Sequence, residues 1–304
     1  MIALLAPGQG SQKPGMLTAW LDQPAAAERL RAWSDIADLD LVRLGTTAEA
    51  DEITDTAVTQ PLVVAAALLA FEAMGDTASH PSDTVVAGHS VGELAAAAVA
   101  GVISADDAVR LAAIRGRAMA EACRLVPTSM TAVLGGDEAD VLATLESFDL
   151  VPANRNAKGQ IVAAGAVENL AKLADNAPEK ARLRPLAVAG AFHTEFMDPA
   201  REAVAAAAAS ITPRDPQLTL LSNRDGLPVS TGEAALKQIV DQVTRPVRWD
   251  LCTDTMRESG VSMIVELPPA GTLVGIAKRE LKGVPQTAIK QPGDIAELMA
   301  VPAN

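Results

Sequence analysis

The chain has 304 residues, 49% of them hydrophobic, and a net charge of −13 at neutral pH. That length can bury a substantial core, and the negative balance argues against nucleic acid or an anionic membrane surface as the main partner. The two cysteines, Cys123 and Cys252, are far apart and outside any C-x-x-C pattern. This argues against a disulfide framework or a zinc site and fits a reducing cytoplasm.

Aromatic residues are scarce and tyrosine is absent, so Ala, Val and Leu must fill the interior, which suits helices packed on a parallel sheet. Residues 1–7 lack a basic region and meet Pro7 at once, so they read as a first strand rather than a signal peptide. No apolar run approaches the length of a membrane span, and no internal repeat is visible.

Residues 2–6 read as a buried strand ending in the Gly-rich loop Pro7-Gly8-Gln9-Gly10-Ser11-Gln12. Neither a P-loop nor a dinucleotide fingerprint is present. The loop is either a plain strand-to-helix turn or a source of backbone N–H groups beside a nucleophile. Residues 18–75 look mainly helical, most clearly 61–74 with Pro61 at the start. An apolar run then leads into Gly88-His89-Ser90-Val91-Gly92 and an Ala-rich segment: strand, sharp turn, helix. G-x-S-x-G at such a turn is a nucleophile elbow, whose glycines allow the strained turn and close helix packing. Ser90 then sits at a strand's carboxyl end, where free N–H groups of the helix can stabilise an oxyanion. The alternative is an ordinary turn whose serine caps the helix.

Ser104 and Asp107 form a capping-box pattern before a helix running to about Cys123. On it, Arg115 shares an apolar stripe with Leu111 and Met119. It either snorkels or faces a cleft to meet an anion. Residues 129–189 read as βαββαβ, with strands at 130–134, 149–153, 160–164 and 182–187 and helices at 137–146 and 167–174. This is the ferredoxin-like unit. The expected division is a large α/β subdomain over 1–126 and 190–304, with residues 127–189 inserted as a small one.

Just past the second crossing lies Phe192-His193-Thr194. Of three histidines, His80 is in a polar loop and His89 points away if Ser90 is at the apex. His193 is therefore the base candidate, against the alternative of a hydrogen-bonded structural histidine. The remainder alternates helix (201–210), strand (217–222), helices (233–243 and 251–259), strand (263–267) and helix (272–282). Lys278, Arg279 and Lys282 lie near the end of that last helix, and the terminal residues look frayed.

Taken together, Pro7 to Gln12, Gln60-Pro61, Gly88 to Glu93, Arg115-Gly116, Asn154-Arg155-Asn156 with Gly159 to Val162, Phe192-His193, Pro246 to Trp249 and Glu266 to Gly271 resemble the malonyl-CoA:acyl carrier protein transacylases of bacterial fatty-acid synthesis. The likeness spans nearly the whole chain, in order and at the family's spacing. It implies an α/β-hydrolase-like subdomain with a parallel sheet and a ferredoxin-like insert. It implies Ser90 as nucleophile, His193 as general base and acid, and Arg115 paired bidentately with a malonyl carboxylate.

The resemblance further implies an oxyanion hole from the N–H groups of Val91 and Gln9, and a Gln242 backbone carbonyl holding the His193 ring. Asn154, Asn156, Met119 and His89 would line the acyl or pantetheine site, and Phe192 would crowd a branched acyl group. Val91 stands where the family often has Leu, and Thr194 where Ser or Cys is common. The reaction implied is ping-pong acyl transfer from malonyl-CoA to the phosphopantetheine thiol of an acyl carrier protein, with no metal or redox cofactor. A cytoplasmic monomer is expected.

An acidic carrier meeting an acidic chain needs a local basic patch. Lys278, Arg279 and Lys282 are the first candidate, with helix-dipole stabilisation as the plain alternative; Arg182 with Arg184 is the next. Rival readings are a serine thioesterase, a non-catalytic scaffold, and a transacylase serving a polyketide synthase.

Overall fold

The structure, a computed structural model, describes residues 1–300. The chain opens with β1 (Ile2–Ala6), followed by α1 (Pro24–Ala37), α2 (Leu41–Thr46), α3 (Ala50–Thr54) and α4 (Thr56–Met74). Next come β2 (Val85–Gly88), α5 (Gly92–Val99) and α6 (Ala105–Ala122). The middle of the chain forms β3 (Thr128–Gly135), α7 (Glu138–Ser147), β4 (Val151–Ala157), β5 (Gln160–Ala166), α8 (Val167–Asp175) and β6 (Ala181–Pro185). It ends with α9 (Asp198–Ala208), β7 (Thr219–Leu220), α10 (Gly232–Gln242), β8 (Val247–Arg248), α11 (Trp249–Glu258), β9 (Met263–Glu266), α12 (Thr272–Glu280), β10 (Gln286–Ala288) and α13 (Pro292–Ala300).

Two five-stranded sheets organise these elements. The first is all parallel in the order β10-β9-β1-β2-β7. Its central strands are covered on both faces, which is why they read as unbroken apolar runs rather than alternating ones. The second has the order β6-β3-β5-β4-β8. Its first four strands are antiparallel in the ferredoxin-like arrangement. The α/β architecture therefore matches the expectation from sequence. The fifth strand, β8, pairs parallel with β4 across Asn154–Val247 and Arg155–Arg248 and brings a later part of the chain into this sheet. A two-residue strand has no period to detect, so the sequence carried no sign of it.

Several local expectations are corrected. Helix α4 starts at Thr56, not at Pro61, because Asp55 caps it by accepting the Ala57 N–H at 2.8 Å. Pro61 lies inside the helix, withholding one hydrogen bond from the turn before it. Read whole, α4 is long and apolar enough to cross a membrane, contrary to the sequence reading, but most of it is buried against other helices as a core element. Ser104 does cap α6, accepting the Asp107 N–H at 3.0 Å. The Asp107 carboxylate takes the Ser104 hydroxyl at 2.6 Å rather than closing a full capping box.

Helix α12 stops at Glu280, and Gly283 turns away at φ +88°, so Lys282 is not on the helical face expected for it. Beyond α12 the chain adds β10, paired with β9, and α13; the terminal residues 301–304, expected to fray, lie outside the described residues. At the carboxyl end of β9, the buried Glu266 accepts N–H groups from Gly271, Leu273 and Val274, anchoring the first turn of α12.

Candidate active site

The first loop and the elbow meet at the carboxyl ends of β1 and β2, where parallel sheets place their ligand sites. Ser90 has φ +54°, a left-handed conformation costly for a residue with a Cβ. The turn closes because α5 begins directly against the sheet: a Cβ on Gly92 would lie 2.3 Å from the Ala6 carbonyl oxygen. The His89 N–H donates to that same oxygen at 2.9 Å. Gly8 repeats the device from the other side, where a Cβ would fall 2.6 Å from the His89 carbonyl oxygen. Gln9 is thereby held beside the elbow, with Nε2 donating to Thr56 Oγ1 at 3.2 Å. Among the described residues, neither the Val91 nor the Gln9 backbone N–H has a hydrogen-bond partner.

His193 reaches this point from the segment before α9. Its Nε2 is 2.7 Å from Ser90 Oγ and its Nδ1 is 2.8 Å from the Gln242 carbonyl oxygen. Gln242 ends α10, so this carbonyl lies at the negative pole of the helix. A carbonyl only accepts, so Nδ1 carries the proton and Nε2 presents its lone pair to the serine. His193 also has a positive φ, +61°. Thr194 Oγ1 donates to the Ala191 carbonyl at 2.6 Å and Thr128 Oγ1 accepts the Ala191 N–H at 3.0 Å, pinning the turn. Burial, and then the nearby Arg115 cation, push the imidazole down to about 3, so it is neutral at ordinary pH.

Arg115 is 1% exposed. Its Nη1 donates to Gln60 Oε1 at 2.6 Å, and Nη2 donates to Gln242 Oε1 at 3.1 Å and to Ser90 Oγ at 3.3 Å. At that burial the side chain does not snorkel; its guanidinium faces inward to Ser90 and the two glutamines. Burial lowers the guanidinium to about 10, opposed by the Glu93 charge, so it stays charged. Met119, one turn along the stripe, accepts from Gln60 Nε2 through sulfur at 3.5 Å.

The remaining expected residues surround this core. His89 Nε2 lies 2.8 Å from Asn156 Oδ1, and the His89 ring tilts against Trp249. Phe192 is buried beside His193. Asn154 is buried in the β4 ladder, where it pairs with Val162 and Val247, and no side-chain hydrogen bond joins it to Ser90. Arg279 and Arg182 line one hollow of about 530 Å³ with Lys158 and Lys180, whereas Lys278 and Lys282 do not line it. Among the described residues no three of His, Cys, Asp and Glu come together as metal ligands.

Three residues of the cluster had no role from sequence. Gln60 belongs to the Gln60-Pro61 pair of the family resemblance, and here it holds Arg115. Glu93, also within a stretch that carries the family resemblance, is a lone carboxylate in an Ala-rich helix and is buried. Asn223 follows a strand, where Asn ordinarily marks a turn, and it gave no signal.

Residues 4–299 match the family described as acyl transferase domain. The chain belongs to that acyl transferase family. The malonyl CoA-acyl carrier protein transacylase of Mycobacterium tuberculosis is 64% identical over 299 residues, covering 98% of this chain and 99% of the relative. The crystal structure of MCAT from Mycobacterium tuberculosis superposes with a TM-score of 0.95 at 64% identity, covering 98% of this chain and 99% of that one. A malonyl-transacylase solved in complex with a type II polyketide-synthase acyl-carrier protein gives a TM-score of 0.88 at 31% identity, covering 97% of each chain. For this acyl transferase, a serine hydroxyl against a neutral imidazole, with two open N–H groups alongside, is an arrangement able to form an acyl ester.

The buried imidazole has a consequence for stability. With His193 near 3 when folded and near 6.5 when unfolded, the unfolded chain binds a proton that the folded one does not throughout that window. Stability is therefore lost as pH falls from about 6.5 towards 3, by up to about 1.4 kcal/mol per pH unit. His193→Gln should lose less stability than the parent between pH 6.5 and 4.5, read from urea midpoints. Parallel losses would show that the histidine is not held neutral.

Proposed function

We propose that the chain transfers a malonyl group from malonyl-CoA to the phosphopantetheine thiol of an acyl carrier protein in fatty-acid synthesis, through a malonyl ester on Ser90. The carrying observation is the buried Arg115 guanidinium set 3.3 Å from the same Ser90 oxygen that meets His193. A fixed cation beside the reacting atom selects an acyl group that carries its own anion. The relatives' names point to the same substrate.

Nε2 of His193 takes the Ser90 proton as Oγ attacks the thioester carbonyl. The oxyanion turns towards the Val91 and Gln9 N–H groups. The Gln242 carbonyl steadies the imidazolium, so no carboxylate is needed behind the histidine. The malonyl carboxylate offsets the Arg115 charge that otherwise opposes imidazolium formation. His193 gives its proton to the departing coenzyme A thiolate, which leaves as the thiol, and the carrier's thiol then attacks the malonyl ester by the same steps in reverse. Phe192 walls the site against branched acyl groups, and Asn156 with His89 lines the pantetheine approach. A carbonyl rather than an aspartate on His193 Nδ1 supports this reading over a hydrolase triad.

In the same proposal the chain divides into a catalytic subdomain (1–126 and 190–304) and a small one (127–189). The four antiparallel strands fall within the second set. The carrier docks at the hollow shared by Arg182 and Arg279, with Lys278 and Lys282 outside its lining. Arg279 is tied to Gln160 at the tip of β5 by a 2.6 Å hydrogen bond. Strand β4 leads from Asn156 at the site to Lys158 at that hollow.

Intact-mass spectrometry after malonyl-CoA should find a malonyl adduct on the parent and none on Ser90→Ala; an equal adduct on the variant removes Ser90 from the chemistry. Arg115→Ala should cost malonyl-CoA about 2–5 kcal/mol in transition-state binding, the usual loss for one buried charged pair. Acetyl-CoA has no carboxylate to lose, so the acetyl-to-malonyl ratio in kcat/KM rises steeply. Equal losses for both donors would reduce Arg115 to a support of the fold. For the partner, Arg182→Glu with Arg279→Glu should raise KM for the carrier several-fold and leave Ser90 malonylation untouched. Added salt should raise the parent's carrier KM as exposed charges are screened over about 10 Å at 0.1 M. A wild-type carrier KM in that variant at low salt places the docking surface elsewhere.

A further inference from the structure

Beneath the elbow lies a buried polar cluster that the steps above do not use. Glu93, in the first turn of α5, is 5% exposed, and Asn223 is fully buried. Both carboxylate oxygens of Glu93 face donors: Oε1 accepts the Asn223 N–H at 2.5 Å, and Oε2 accepts Gln242 Nε2. Asn223 grips the elbow on both sides. Its Oδ1 accepts the Ser90 N–H at 2.8 Å, and its Nδ2 donates to the Gly88 carbonyl at 2.8 Å. Gln242 Nε2 also donates to the Ser90 carbonyl at 3.0 Å, while Oε1 accepts from Arg115.

The polarity of this cluster has one solution. A glutamine amide donates at one end and accepts at the other. A carboxylate only accepts, so the NH₂ of Gln242 must face Glu93, and its oxygen must then face Arg115. Turned round, the amide would press a donor on the guanidinium and an acceptor on both Glu93 and the Ser90 carbonyl. Burial pushes Glu93 up to about 7, opposed by the Asn223 N–H, the Gln242 amide and the Arg115 charge. Those donors and that cation fit the ionised form, and Glu93 is the carboxylate whose charge acts on the buried Arg115.

We propose that Glu93 is a positioning residue: its carboxylate fixes the orientation of the Gln242 amide and of Asn223, and through them the Arg115 guanidinium and the strained Ser90 backbone. The proposal rests on the reading of Ser90 as nucleophile, and the test separates the two. Glu93→Gln keeps the shape but puts a donor where an acceptor is required. Acylation of Ser90 is followed with malonyl-CoA and with acetyl-CoA, per folded enzyme, for Glu93→Gln, Arg115→Ala and the double variant.

With malonyl-CoA, Glu93→Gln should lower kcat/KM on the order of ten- to a hundredfold, the range of coupled polar clusters. Its acetyl-to-malonyl ratio should shift in the direction of Arg115→Ala, and the double variant should be little worse than the poorer single. Gln242→Met removes the amide and keeps the backbone carbonyl that holds His193; it should couple to Arg115→Ala in the same way, which covers the case that Glu93→Gln folds poorly. Losses that simply multiply, in either cycle, overturn the proposal. A non-additive cycle with an unchanged acyl ratio keeps the positioning role and overturns the carboxylate-selecting role of Arg115. Absence of any Ser90 adduct on the parent overturns the nucleophile, and the positioning role with it.

Discussion

Ser90 is held at a positive φ in a turn that local preference opposes. Such a residue costs on the order of 1–3 kcal/mol and persists only where its surroundings over-determine it. Here they do so from three directions. Gly92 lets α5 rest on the end of β1, Gly8 lets the first loop rest on the elbow, and Asn223 bonds the backbone on both sides of His89. The serine hydroxyl, the open Val91 N–H and the open Gln9 N–H follow from that one constraint. Relaxing the turn would move all three together.

The second organising feature is the coexistence of a neutral base and a permanent cation in one water-poor cluster. Burial alone lowers the His193 imidazole, and Arg115 lowers it further. His193 is therefore a weak base by itself, and in the proposed mechanism it is the substrate's carboxylate, set against Arg115, that restores its basicity. Arg115 is not left uncompensated meanwhile. Glu93 faces it through the Gln242 amide, so opposite charges share the interior with a hydrogen-bonded spacer between them. The spacer keeps the guanidinium out of a direct ion pair, which would otherwise compete with an incoming anion.

The surface follows a different logic. A chain of net charge −13 repels an acidic partner over most directions. Lys158, Lys180, Arg182 and Arg279 gather around one hollow from the β4–β5 turn, the start of β6 and helix α12. In the proposed function their convergence offers an acidic partner a favoured approach, beside the strand that carries Asn156.

Much of this was legible in the chain itself. The elbow announces itself because strand, glycine, serine, glycine and helix are neighbours in sequence, and their backbone demands are local. The βαββαβ rhythm was legible because hydrophobic period belongs to single segments. Ser90, His193 and Arg115 stood out as rare polar residues in patterned surroundings, and the family resemblance supplied the roles of Gln242 and Gln9. Of the features missed, β8 and the basic hollow were decided by contact at a distance, and the start of α4 by a local cap that the Pro61 signal outweighed. Helix α4 begins where the Asp55 cap places it, β8 exists only because β4 lies beside it, and the basic hollow joins Arg279 to Arg182 rather than to Lys282. The brace of Glu93, Asn223 and Gln242 was also beyond sequence. Its bonds to the elbow span 133 and 152 residues, and a buried donor takes as partner whatever acceptor the packing brings to it. Sequence thus marked the candidate reactive residues and most of the longer helices and strands, because both are legible from local pattern. Tertiary structure alone decided which way each buried polar group faces.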